Sequence, residues 1–225
     1  IAALRKIVPG EGVIAEEEEL RAYECDGLTA YRQLPMIVVL PETVQQVSDI
    51  LKYCHGTGIK IVPRGAGTSL SGGALPLAEA CLLSLAKFNR IVAVDPDNCT
   101  AIVEPGVRNA AISAAAAVHG LYYAPDPSSQ IACSIGGNVA ENSGGVHSLK
   151  YGLTVNNVLA VEILTAEGEW LRLGEGALDS PGYDLLAVLN GSEGLLGIIL
   201  QITDSLLPIP PAAGVLRGAC APVGR

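Results

Sequence analysis

A glycine-rich stretch, VPRGAGTSLSGGALPL, occupies residues 62–77. A loop of small residues can turn successive backbone N–H groups toward one point, and such a concavity binds phosphate oxygens without a charged side chain. The stretch is not a Walker loop, because no lysine lies between Lys60 and Lys87. The Rossmann pattern GxGxxG is also incomplete, since Leu70 takes the place of the third glycine. The stretch is therefore another kind of phosphate loop or a surface turn without a ligand.

A second stretch of the same chemistry follows at residues 133–145, CSIGGNVAENSGG. It contains two Gly-Gly pairs together with Asn138 and Asn142. Two such loops indicate one extended ligand between two structural units, and a dinucleotide with a pyrophosphate and a large ring system fits this description. The two asparagines could instead cap their own turns.

Composition limits the remaining classes of function. The chain has 225 residues, of which 49% are hydrophobic, and this is enough for a buried core in one or two packed units. A net charge of -9 argues against a nucleic-acid partner, because phosphate backbones bind clustered Lys and Arg. No run approaches about 20 apolar residues, so no membrane span is expected. The six cysteines never form CxxC, which predicts no metal site and reduced thiols in a cytosolic chain.

The pattern of apolar residues predicts the elements that position the two loops. Strands are predicted at residues 36–40, 59–62, 81–85, 91–94, 100–104, 158–165, 170–173 and 197–203. Helices are predicted at 15–23, from Thr43 to the glycines at 56 and 58, at 107–119 and at 183–189. Residues 123–156 are predicted to be mostly irregular, and a compact domain seldom keeps so long a loop without a use for it.

The order of these elements predicts the fold class. The strand, helix and strand between residues 36 and 62 imply parallel pairing of the two strands through a right-handed crossover. Strands and helices otherwise follow in mixed order, so we expect an α+β arrangement of two small lobes rather than one doubly wound sheet.

Three segments in this order carry a family resemblance: PRGAGTSLSGG, YYAPDPSSQIACSIGGNVAENSGGVHSLKYGLT and GSEGLLGII. Together they resemble the FAD-binding domain of the vanillyl-alcohol oxidase and p-cresol methylhydroxylase superfamily, and within it the family of glycolate oxidase FAD-linked subunits and D-lactate dehydrogenases. The resemblance implies a two-lobe α+β domain of the p-cresol methylhydroxylase type. It implies an N-terminal segment at 1–36, the FAD-binding domain at 37–206 with lobes at 37–90 and 91–206, and a linker at 207–225 toward a C-terminal cap domain that is absent.

The resemblance also implies which residues bind FAD. The residues implied for the pyrophosphate are Pro63, Arg64, Gly65, Ala66, Gly67, Thr68, Ser69 and Ser71. Those implied for the flavin side and the length of the cofactor are Pro125, Asp126, Ser134, Ile135, Gly136, Gly137, Asn142 and Gly144. Those implied near the adenosine or pyrophosphate end are Glu193, Gly194, Ile198 and Ile199. Covalent attachment in this superfamily often uses a histidine in the first loop, and because this loop has none, we expect noncovalent FAD.

The implied chemistry is oxidation of a small 2-hydroxy acid, glycolate or D-lactate, with hydride transfer to the flavin while a base takes the hydroxyl proton. His147 is the candidate base within the chain, although it could merely hydrogen-bond a turn. The family places much of its substrate pocket in the cap domain. It also implies electron-accepting partner subunits with flavin or iron–sulfur groups, and a cytoplasmic location or a peripheral one at the membrane through those subunits.

Two other functions stay open. The chain could be a truncated module that holds FAD and has no activity of its own. A Rossmann NAD protein needs an acidic residue about 20 positions after the glycines. Glu79 lies too few residues after the glycines for that role, and Lys87, at the right distance, is positively charged, so this third hypothesis is the weakest.

Overall fold

The computed structural model describes residues 1–175, 182–212, 214 and 218. Its α-helices are α1 (Ala2–Ile7), α2 (Glu17–Leu20), α3 (Val44–Thr57), α4 (Asn109–Ala116), α5 (Ile135–Glu141), α6 (Ser148–Tyr151) and α7 (Leu185–Leu189). Its strands are β1 (Val13–Ile14), β2 (Ile37–Val39), β3 (Lys60–Arg64), β4 (Ala80–Ser84), β5 (Ile91–Asp95), β6 (Thr100–Val103), β7 (Leu121–Tyr122), β8 (Val158–Leu164), β9 (Trp170–Leu173), β10 (Ile198–Ser205) and β11 (Leu207–Pro208). Short 3₁₀ turns occupy Arg21–Tyr23, Ala117–His119 and Thr154–Asn156. The mixture of sheets and helices confirms the α+β class.

The first sheet has the strand order β1-β2-β4-β3, in which β2, β4 and β3 are parallel and β1 is antiparallel at the edge. Direct pairing of β2 with β3 was expected from the sequence, and this expectation is wrong because β4 lies between them. All five residues of β4 are buried. A strand with no polar face gains most from a central position with a neighbour on each side, which explains the insertion.

Helix α3 crosses between β2 and β3, and its predicted start is confirmed. Thr43 Oγ1 accepts a hydrogen bond from the backbone N–H of Gln46 at 3.2 Å, and Gln46 Oε1 accepts one from the backbone N–H of Glu42 at 2.7 Å. The helix ends at Gly58, whose φ of 70° is left-handed and favours glycine. Strand β3 follows this turn and leads into the first glycine loop.

The second sheet is antiparallel, with the order β5-β6-β10-β8-β9. Helices α4 and α5 pack on it through Ile112, Ile135 and Val139, which are fully buried with Ile202 of β10. Helix α4 begins at Asn109 rather than at residue 107. The reason is that the Val107 carbonyl accepts the N–H of Ile135 at 2.8 Å, so the chain is still extended there to hold α5.

The two sheets share a hydrophobic core. Leu164 of β8 and both Ile198 and Leu200 of β10 belong to the same buried cluster as Leu83 of β4 and Val47 of α3. The first sheet takes its strands from residues 13–84 and the second from residues 91–205. The domain boundaries drawn from the resemblance stay a prediction, but the shared core holds the loops of the two sheets against each other.

Residues 123–156 are more regular than the sequence indicated, since they contain α5 and α6. Gly136 and Gly137 lower the helix propensity of α5, which is why composition suggested a loop. Tertiary packing overrides propensity here, because Ile135 and Val139 are one helical turn apart and both fully buried. None of the helices in the described ranges is long and apolar enough to cross a membrane.

Candidate functional site

A cavity of about 500 Å³ lies between the two glycine loops. The residues singled out from the sequence that line it are Pro63, Arg64, Gly65, Ala66, Gly67, Thr68, Ser69, Ser71, Ser134, Gly136, Gly137, Glu193, Gly194 and Ile199. Lining residues outside the expected set of FAD-binding residues include Leu85, Pro105, Ser129, Asn138, Glu141 and Ser143. Segments from both sheets therefore meet at one cavity, as an extended ligand between two loops requires.

The first loop presents a run of unused backbone donors to this cavity. Within the described chain, the N–H groups of residues 67–70 donate no hydrogen bond to the protein. The N–H groups on either side are occupied: Ala66 N–H donates to Ser134 Oγ at 3.3 Å, and Ser71 N–H donates to Ser69 Oγ at 3.1 Å. Residues 67–69 are half-buried, and unpaired donors there cost free energy, so this run of free N–H groups indicates a loop shaped for an anionic ligand.

The start of α5 adds one further donor opposite the first loop. Ile135 N–H donates to Val107 O and Gly136 N–H to Pro105 O, both at 2.8 Å. The N–H of Gly137 has no partner in the part of the chain that the structure describes. A Cβ atom placed on Gly65 would lie 3.6 Å from Gly137 N and would clash with Ser134 Oγ. The two loops therefore approach each other through backbone, and Gly65 has no room for a side chain.

Arg64 braces the first loop from behind. Its guanidinium is buried and donates from Nη1 to the carbonyls of Cys25 at 2.8 Å and Ala74 at 3.2 Å, 5.8 Å from the centre of the Tyr23 ring. Burial lowers the pKa of this guanidinium from its usual value. With its side chain used in this way, the loop meets the cavity mainly through its backbone.

The N-terminal segment also holds the first loop, and sequence reasoning missed this role. The Asp26 carboxylate is buried and accepts N–H bonds from Gly72 and from Leu28, each at 2.9 Å. Gly27 N–H donates to Ser69 O at 2.8 Å. Nothing in the residue types of this segment, YECDGLTAYR at residues 23–32, indicated which loop it would hold.

Six of the expected binding residues do not line the cavity: Pro125, Asp126, Ile135, Asn142, Gly144 and Ile198. Ile135 and Ile198 are core residues beneath it. Asn142 ends α5 with a φ of 49°, and its Oδ1 accepts the N–H of Val155 at 3.0 Å. Asn142 therefore ends α5 through its backbone conformation and uses its side chain on a turn 13 residues away, while its expected contact with FAD stays a prediction.

Asp126 meets His147 outside the cavity. Asp126 Oδ2 lies 2.6 Å from His147 Nδ1, and Oδ1 accepts the His147 backbone N–H at 3.2 Å. Burial raises the pKa of the neighbouring Tyr122 to about 12, while the Lys150 ammonium lowers the pKa of Tyr151. A carboxylate on Nδ1 leaves Nε2 as the free ring nitrogen, which suits a base, but His147 does not line the cavity.

Comparison with known proteins identifies the class. Residues 35–174 match the family model described as FAD binding domain, so the chain belongs to this family, whose cofactor is FAD. The chain is 59% identical over 216 residues to the glycolate oxidase subunit GlcD of Escherichia coli (strain K12), covering 96% of this chain and 43% of that protein. It is 42% identical over 173 residues to the D-lactate dehydrogenase of Archaeoglobus fulgidus, covering 76% of this chain and 39% of that one.

Solved structures agree on the fold. A structure of alkyldihydroxyacetonephosphate synthase superimposes with a TM-score of 0.82 at 23% identity, covering 93% of this chain and 40% of that one. The chain spans less than half the length of these relatives. The family resemblance inferred from the three glycine-rich segments is confirmed.

The cavity fits FAD on its own chemistry. The unpaired N–H groups of residues 67–70 and of Gly137 suit a pyrophosphate, whose oxygens accept hydrogen bonds. Glu141 and Glu193 also line the cavity, and Ser71 Oγ donates to Glu141 Oε2 at 2.6 Å. Carboxylates repel phosphate and accept from hydroxyl or amino groups, so they suit the sugar, ribityl or adenine parts of the same molecule.

Proposed function

We propose that this chain is the FAD-binding part of a flavin-dependent dehydrogenase that oxidises a small 2-hydroxy acid, glycolate or D-lactate, to the 2-oxo acid. The observation that carries the proposal is 59% identity to a glycolate oxidase subunit along 96% of the chain. The cavity supports it, because its unpaired backbone donors line both glycine loops.

When bound, FAD supplies the hydride acceptor for such an oxidation. The chain's own residues would hold and orient the cofactor: the backbone of residues 65–71 and Gly137 at the pyrophosphate, with Ser134 between the two loops. Arg64 and Asp26 keep the first loop in shape from behind. His147, with Asp126 on its Nδ1, is our candidate to take the substrate's hydroxyl proton.

A reduction assay tests the substrate class. In the FAD-loaded protein that contains this chain, anaerobic glycolate or D-lactate should bleach the flavin absorption at about 450 nm, because hydride transfer reduces the flavin. Acetate, which lacks the 2-hydroxyl group, is the control and should leave the band unchanged. FAD retained without bleaching by glycolate, D-lactate or D-2-hydroxyglutarate would contradict the proposal and favour a binding module without activity.

The linkage to FAD is expected to be noncovalent. Neither the first loop nor the cavity lining, as far as the structure describes it, contains a histidine, and Cys133, which does line the cavity, is buried. Acid precipitation should therefore leave the yellow colour in the supernatant and a colourless pellet. A pellet that stays yellow after repeated acid washes would show a covalent bond.

Electron-accepting partner subunits, with flavin or iron–sulfur groups, complete the proposal. Their support is that relatives in two bacteria are named as subunits of glycolate oxidase. The cytoplasmic or peripheral membrane location expected from the cysteines and the family stays a prediction.

A further inference from the structure

Two buried asparagines connect the cavity to the Asp126–His147 pair. Asn109 opens α4 and is 1% exposed, and Asn138 lies in α5 and is 2% exposed. Asn138 Nδ2 donates to Asn109 Oδ1 at 2.8 Å, and Asn109 Nδ2 donates to the Pro125 carbonyl at 3.0 Å. Because a carbonyl can only accept, the orientation of both amides is fixed: each NH₂ group points along the chain from Asn138 to Pro125.

Both ends of this amide chain are anchored in the functional region. Asn138 lines the cavity, and its backbone carbonyl accepts the N–H of Ser143, another lining residue, at 2.9 Å. At the other end, Pro125 precedes Asp126, whose carboxylate holds both the backbone and the ring of His147. The three members lie far apart in sequence, with 29 residues from Asn109 to Asn138 and 16 from Asn109 to Pro125.

We propose that Asn109 is a positioning residue, whose amide sets the distance between the cavity wall at Asn138 and the Pro125–Asp126 segment. The inference rests on the proposed function, because that function requires the Asp126–His147 pair to lie where the substrate meets the flavin. An interior amide that donates at one end and accepts at the other is a rigid spacer. If the side chain at position 109 loses either hydrogen bond, a buried polar group is left unpaired, and the distance between Asn138 and the Pro125–Asp126 segment is no longer held.

The variant Asn109→Asp tests this with an internal rescue. Ionised aspartate accepts from Asn138 but cannot donate to Pro125 O, whereas protonated aspartic acid can do both and restores the pattern of the amide. Burial raises the pKa of a carboxyl group, so we expect protonation as the pH falls from about 8 to about 5. Titratable or charged groups near this amide chain include Asp126, His147, the Cys133 thiol, Arg108, Tyr123 and Asp204. Dividing the rate of the variant by the wild-type rate at each pH removes their contribution.

With FAD loaded, Asn109→Asp should reduce flavin about tenfold more slowly than the wild type at about pH 8 and regain the wild-type rate at about pH 5. Its FAD content and thermal midpoint should change much less than its rate. A rate ratio that is constant with pH, or a loss of FAD that accounts for the whole effect, would overturn the positioning role.

The visible spectrum of bound FAD provides a readout without substrate. The band shape of Asn109→Asp should differ from the wild type at about pH 8 and match it at about pH 5, whichever acid is the substrate. Asn138→Ala is the second variant. It removes the Asn138–Asn109 bond, so the flavin band should shift, and it introduces no titratable group, so the band should not recover on acidification. If the wild type fails to oxidise 2-hydroxy acids but the band responds as described, the proposed function fails and the positioning role stands. Spectra identical in all three proteins would refute the positioning role itself.

Discussion

The Gly67→Val protein should fold and lose FAD. Gly67 has a φ of 67°, and a Cβ atom there would lie 2.6 Å from Arg64 Cζ. The branched side chain would strain the backbone by about 1–2 kcal/mol and push the guanidinium away from the carbonyls it holds. The four N–H groups of residues 67–70 would then lose their common direction. Losing two bonds to phosphate, at about 1.5–3 kcal/mol each, predicts a Kd for FAD more than about a hundredfold weaker.

Gly10→Val is the matched control for this effect. Gly10 has a φ of 76°, and a Cβ atom there would meet nothing within 4 Å. It therefore carries the same backbone strain without any contact to the first loop. Fluorescence titration of FAD should give a wild-type Kd for Gly10→Val and a far weaker one for Gly67→Val. Equal affinities in the two variants would show that the first loop does not hold the cofactor.

The free energy of unfolding should fall as the pH rises, because Asp204 is buried as a neutral acid. This residue of β10 is fully buried, and neither of its carboxyl oxygens has a hydrogen-bond partner in the described chain. Burial raises the pKa of Asp204 well above its usual range, so the folded protein keeps the proton. The unfolded chain releases that proton above about pH 4. The neutral carboxyl group therefore makes its full contribution to the free energy of unfolding below about pH 4. As the pH rises above that, the free energy of unfolding falls by up to about 1.4 kcal/mol per pH unit, until the raised pKa of the folded state is reached.

Asp204→Asn isolates this contribution, because the amide has nearly the same shape and no charge to release. In urea denaturation, the variant should lose less stability than the wild type between about pH 5 and about pH 8, so the gap between them should widen with pH. Asp97→Asn, at an exposed position, should follow the wild type throughout. Parallel curves for Asp204→Asn and the wild type would mean that Asp204 has the same pKa in the folded and unfolded states.

The glycine loops could be found from sequence because their requirement is local. A backbone that approaches its neighbours closely excludes side chains: a Cβ atom would clash with Ser134 at Gly65, with Arg64 at Gly67 and with Pro105 at Gly136. The start of α3 was predictable for the same reason, since Thr43 and Gln46 lie within one turn. Which residues of the second loop face the cavity depends on helix α5, and the glycine content concealed that helix.

The supports of the site could not be predicted because their partners are distant in sequence. Asp26 holds a loop 46 residues away, and nothing near Asp26 in sequence indicates this contact. Asn109 resembled an ordinary helix residue until its buried bonds to Asn138 and Pro125 O were seen. The place of β4 between β2 and β3 likewise follows from burial in the folded sheet rather than from its own residue pattern.

Hydrogen exchange with and without FAD tests most directly whether the two glycine loops hold the cofactor by its pyrophosphate. The amides of residues 67–70 and of Gly137 have no partner in the described protein, so a bound pyrophosphate should give them one. We expect FAD to slow their exchange by about tenfold or more, and to do so more than at segments away from the cavity such as α1. Unchanged exchange at these amides, with protection only in segments outside the cavity such as the one around His147, would contradict the assignment.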